Sequence, residues 1–139
     1  MIVVTGGNTE FGRQVAGHLL DHLPPGQVSV TVREPRKAGP LNDRGADVRH
    51  ADADEPATLV RAFEGADTVL INGTNYEADP ARRARRHAAA ITAAAESGAG
   101  RLVITTWQDL DHCPLPQVSD YPAIETRARA RAYPADHRA

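Results

Sequence analysis

Five short β-prone runs, each separated from the next by a longer stretch, leave this chain few folds to adopt. The first, Met1–Thr5, is continuously apolar until it meets two glycines, as expected of a strand buried on both faces. Phe11, Val15, Leu19 and Leu20 then recur at helical spacing until Pro24-Pro25-Gly26 stops them. Val28–Val32 is a second strand, and the piece around Asp47–Arg49 a short third. Glu55-Pro56 opens a helix whose apolar side is Leu59, Val60 and Phe63, with Gly65 just past its end. Thr68–Ile71 is the fourth strand. An Ala- and Arg-rich helix follows over Pro80–Ser97, with Gly98 at its C-terminal boundary, and Arg101–Thr105 is the fifth strand. Strands separated by helices imply right-handed βαβ crossovers and a parallel sheet. The predicted class is therefore α/β: a doubly wound, three-layer arrangement with strand order 3-2-1-4-5.

Composition narrows the function classes. Aromatic residues are only 4% of the chain, so the core must be built from Val, Ile, Leu and Ala. A net charge of −2 provides no field for nucleic acid or an anionic membrane, and no apolar run reaches bilayer length. The single cysteine, Cys113, excludes an intramolecular disulfide and suits a reduced, cytoplasmic setting. Asp109, Asp111, His112 and Cys113 match no zinc spacing, so no metal is expected. The run Arg82, Arg83, Arg85, Arg86 and His87 reads as the solvated face of a helix start, with His87 packing or capping locally. Past Trp107 the pattern decays. A Pro-containing loop leads to a weak helix over Tyr121–Arg131. The expected domain spans 1–132, with a frayed tail over 133–139.

The chemistry concentrates in the turn Gly6-Gly7-Asn8-Thr9-Glu10-Phe11-Gly12. A tight reversal from strand to helix turns backbone N–H groups and the positive end of the helix outward, a site suited to a pyrophosphate. Gly12 would let the helix pack close to the strand. Glycines after a strand also serve ordinary turns. The position of these, at the first strand of a βαβ unit, favours nucleotide binding and a Rossmann-like domain.

Three segments strengthen that reading as a set: Thr5–Gly12, Val32–Ala38 and Gly45–Asp52. With His87, Ala93–Gly98 and Arg101–Thr106 they resemble the NmrA-like, atypical short-chain dehydrogenase family, nearest its bacterial NAD(P)H:quinone oxidoreductase branch. The resemblance runs from Met1 to about Thr126. It implies that Gly6 and Gly12, with the backbone of Gly7, Asn8, Thr9, Glu10 and Phe11, hold the pyrophosphate of NADP or NAD. Arg33, with Lys37 nearby, would meet the adenosine ribose; a base there suits the 2′-phosphate of NADP, the preferred cofactor, where an acid would suit NAD. The competing reading of Arg33 is a solvated charge at a strand end. Asp52 would face the adenine amine, or else be an ordinary loop acid. Asn72, Gly73 and Thr74 would let the cofactor lie across the sheet edge. At position 9 the family has glycine. Thr9 there is expected to weaken binding, with about 1–2 kcal/mol of strain if the position requires positive φ, while its hydroxyl offers a donor to phosphate.

The same resemblance finds no catalytic set. Short-chain dehydrogenases place a hydroxyl after strand five, where Thr105 and Thr106 stand, and a Tyr-x-x-x-Lys on the next helix. Tyr121 is instead followed by Glu125, and a carboxylate there raises the phenol's pKa. The quinone reductases carry His and Lys at positions that fall on Ala123 and Ala128. Family members also continue for about another domain, with a sixth strand and a substrate lobe, so this chain reads as truncated. The expected function is an NAD(P)H-binding domain of an oxidoreductase ancestrally reducing quinones or similar small electrophiles, weak or inactive as this short chain. The alternatives are a non-catalytic NAD(P) redox sensor or interaction module, and a degenerate fragment. Strand five, apolar and uncovered by a sixth strand, is expected to drive self-association.

Overall fold

The computed structural model describes residues 1–72 and 79–105. Gly73, Thr74, Thr106, Cys113, the expected helix over Tyr121–Arg131 with Ala123, Glu125 and Ala128, and the tail lie outside the described residues. The elements follow in the order β1 (Ile2–Thr5), α1 (Glu10–His22), β2 (Val28–Val32), a 3-10 turn (Pro35–Ala38) running into α2 (Gly39–Asp43), and β3 (Asp47–His50). Then come α3 (Pro56–Phe63), β4 (Thr68–Ile71), α4 (Pro80–Glu96) and β5 (Arg101–Ile104). All four strand pairings are parallel, in the order β3-β2-β1-β4-β5. The doubly wound expectation holds. Winding reverses direction at β1, so the C-terminal ends of β1 and β4 open a crevice, the place where such sheets bind ligands.

The central strand shows why the chain needs helices on both faces. Val3 and Val4 are both fully buried, and successive strand residues point to opposite faces. Val3 packs with Phe63, Val69, Ile71 and Ile91 beneath α3 and α4; Val4 packs with Ala16, Val30, Leu41 and Ala46 beneath α1 and α2. Ala90, Ala93 and Ala94 are the buried residues of α4 beside Ile91, and their small side chains admit close packing against α3 and the sheet. The helix signals read from the sequence are real: Pro56 and Pro80 lie in the first turns of α3 and α4, and Gly65 and Gly98 take left-handed φ of 74° and 78° beyond them. The helical stretch from Pro35 to Asp43 was not anticipated. Only Ala38 and Leu41 in it are buried, too few to display a period.

Candidate functional site

The turn after β1 is held by its own backbone. Gly6 has φ of 71°, and its carbonyl accepts from the Thr9 amide at 2.9 Å and from Thr9 Oγ1 at 2.7 Å. Thr9 is the N-cap of α1, its Oγ1 accepting from the Gly12 amide at 3.0 Å and from Asn72 Nδ2 at 3.2 Å. Its φ of −80° is extended backbone. The strain expected of a threonine in place of glycine is therefore absent, and its hydroxyl proton is directed to Gly6 rather than toward a phosphate. Gly12 has the strictest requirement: a Cβ there would lie 2.2 Å from the Gly6 carbonyl oxygen. The Gly7 amide donates to Thr31 O at 3.0 Å. Among the described residues, the amides of Asn8, Glu10 and Phe11 have no acceptor, as the open end of a helix requires.

Beside this turn runs a cleft of about 590 Å³ along the C-terminal ends of β1, β2, β3 and β4, with α4 as its far wall. Of the residues singled out from the sequence, Gly6, Asn8, Thr9, Arg33, Lys37, Asp52 and Asn72 line it together. Glu10, Phe11, Gly12 and Thr105 do not. Glu10 points outward, and bonds from Arg13 first and Gln14 second hold its carboxyl below the usual range. Thr105 lies beside the cleft-lining Asn72, its Oγ1 donating to Asn72 Oδ1 at 3.5 Å. Arg33 is exposed and makes no hydrogen bond or ion pair with the described residues, whereas Lys37 pairs with Glu34 at 2.7 Å. Asn8 Nδ2 donates to Glu34 O at 3.3 Å, while its Oδ1 is buried with no partner among the described residues. Asp52 Oδ1 accepts from the Asp54 amide at 2.9 Å.

The basic run on α4 is not a solvated face. Arg83 and His87 are 5% and 7% exposed and, with the half-buried Arg86, form the cleft's far wall. Only Arg82 and Arg85 face solvent. A signal was available, since positions 83, 87, 90 and 94 share one helical face with the buried alanines. The density of charge concealed it. Asp54, which takes hydrogen bonds from Arg86 and Arg82, carried no sequence signal at all.

A glycine turn, an open helix N-terminus and a cleft crossing the winding reversal together fit a dinucleotide, and comparison with known proteins agrees. Residues 6–139 match the family described as NAD(P)H-binding. The chain belongs to the NAD(P)H-binding family. It is 31% identical over 126 residues to quinone oxidoreductase 2 of Escherichia coli K12, covering 91% of this chain and 42% of that protein. Among solved structures, the Citrobacter sp. triphenylmethane reductase complexed with NADP(H) is similar at 30% identity and TM-score 0.88, over 92% of this chain and 45% of that one. The NADPH-dependent quinone oxidoreductase of E. coli, complexed with NADPH, is similar at 29% identity and TM-score 0.82, over 91% and 44%. This NAD(P)H-binding chain thus spans under half the length of these relatives. The fold, the cofactor class and the kinship with quinone oxidoreductases expected from the sequence are borne out. No helix of the described residues is long and apolar enough to cross a membrane.

Proposed function

We propose that this NAD(P)H-binding chain prefers NADP(H), with the dinucleotide laid across the C-terminal edge of the sheet. Arg33 carries the reading. It is a cation with no partner among the described residues, at the end of β2, lining the same cleft as the glycine turn. A 2′-phosphate gives such a group the anion it lacks, and charge-assisted contacts of this kind contribute about 1–3 kcal/mol. The pyrophosphate falls to the amide of Asn8 in the cleft and to those of Glu10 and Phe11 at the first turn of α1 beside it, a narrower set than the whole turn, because the Gly7, Thr9 and Gly12 amides already have acceptors. Asp52 faces the base, and Asn72, tied to the cap through Thr9, closes the floor between β1 and β4. When bound, the cofactor supplies a hydride; the chain's own residues bind and orient it. Calorimetric titration should give a Kd for NADPH about tenfold to a hundredfold below that for NADH. Arg33→Ala should erase the difference, and equal wild-type affinities would remove the case for Arg33.

For the whole protein we propose an NADPH-dependent oxidoreductase acting on quinones or similar small electrophiles, supported by the names its relatives carry. Ala123 and Ala128 favour a second reading, a non-catalytic sensor of the nicotinamide redox state, because the relatives' resemblance leads one to expect His and Lys there. Assay of NADPH oxidation with a benzoquinone separates the two. The expected result for this 139-residue chain is binding without turnover above background. Rapid oxidation that Arg33→Ala slows would establish the reductase. The single cysteine and the cofactor class support a cytoplasmic setting.

A further inference from the structure

The far end of the cleft, beyond Arg33, is built from two segments that meet through one carboxylate. Asp54 lies in the loop between β3 and α3, and its amide donates to Asp52 Oδ1 at 2.9 Å. Its carboxylate accepts from Arg86 Nε at 2.9 Å and Nη2 at 2.5 Å, and from Arg82 Nη2 at 2.9 Å. Arg86 and its neighbours Arg83 and His87 line the cleft from α4, and Asp52 and Ala53 line it from the loop. We infer that Asp54 is a positioning residue for the adenine end of the dinucleotide: by gripping Arg86 and Arg82 it sets the distance between the β3–α3 loop and α4, the two walls between which the base sits. This rests on the proposed reading of the cleft as an NADP(H) site. With the pyrophosphate at the glycine turn and the ribose phosphate at Arg33, the base can extend only toward β3, into the space that this clamp spans.

The clamp is poorly suited to a purely structural role. Arg82 and Asp54 are 47% and 44% exposed and Arg86 23%, and ion pairs open to solvent on this scale add little to stability. The packing of α3 against α4 is already secured by Leu59, Phe63, Ala90, Ile91 and Ala94. What the clamp adds is geometry. Two bonds donated to one carboxylate fix the guanidinium of Arg86, and a fixed planar cation is a wall against which a base can stack. The two arginines also hold the Asp54 carboxyl well below the usual range, so the grip persists in any ordinary buffer.

The test titrates the full chain with NADPH, NADH and 2′,5′-ADP, the last carrying the adenosine end without nicotinamide. Asp54→Asn and Arg86→Gln should weaken all three by a common factor, about threefold to thirtyfold, with little change in unfolding midpoint. Arg33→Ala instead weakens NADPH and 2′,5′-ADP and spares NADH. Asp54→Glu should recover part of the loss. Should Asp54→Asn fail to fold, Arg86→Lys keeps the charge and the fold while losing the two-point grip, and it should show the same common factor. Affinities within about twofold of wild type in these variants would overturn the inference while leaving the cofactor reading intact. A wild-type chain that binds none of the three ligands would overturn the cofactor reading itself, before any substitution is made.

Discussion

Thr9 joins three segments through one oxygen: it caps α1 through Gly12, returns its proton to Gly6, and receives Asn72 from the end of β4. An oxygen so used contributes as an N-cap does, so Thr9→Ala should lower stability by about 1 kcal/mol, and Thr9→Gly by less, in chemical denaturation. Because φ at this position is already that of an ordinary residue, Thr9→Gly should not tighten NADPH binding. A lower Kd in calorimetry would show that the Cβ obstructs the pyrophosphate after all. Gly12 behaves oppositely. Its missing Cβ leaves room for the Gly6 carbonyl, and Gly12→Ala must move α1 off the turn. A destabilisation of about 1–3 kcal/mol or more is expected, together with weaker cofactor binding. The need for glycine at positions 6 and 12 was legible in the sequence, because tight turns and close approaches demand it locally. The cap was not inferred, although a threonine just ahead of a helical run is an ordinary N-cap signal.

Among the elements, β5 and α4 raise separate questions. Within the described residues β5 pairs only with β4, and Val103 is 39% exposed. An apolar edge with unpaired backbone groups favours strand addition. We therefore expect the 139-residue chain to self-associate, with a mass by light scattering that rises with concentration, and expect Val103→Lys to suppress the rise. A monomer at every concentration would show that the edge is covered. In α4 the sequence reading took charge as the guide to exposure. Helical period would have been the better guide. Arg83 and His87 follow the buried alanines around one face, and their long or amphipathic side chains reach the cleft from an otherwise apolar stripe.

At the scale of the molecule, the Asp54 clamp joins segments 28 and 32 residues apart, and its pH dependence has a definite sign. A carboxyl whose folded pKa is depressed contributes stability above the unfolded value, near 3.9, and loses it only as pH falls through the lower folded value. Because the carboxylate stays ionised, the difference in NADH affinity between wild type and Asp54→Asn should therefore stay constant from about pH 7 to about pH 5. A difference that closes already near pH 5 would mean that the arginines do not hold this carboxylate. The same scale separates what the sequence determined from what it did not. The order of strands and helices, the parallel sheet, the glycine turn and the position of Arg33 were all legible, because period, proline and glycine act on neighbouring residues. The grouping of Arg83, Arg86 and His87 with Asp52 and Asp54 was decided only when α3 and α4 packed side by side on one face of the sheet. Apolar burial sets that packing and carries no record of which charges it brings together.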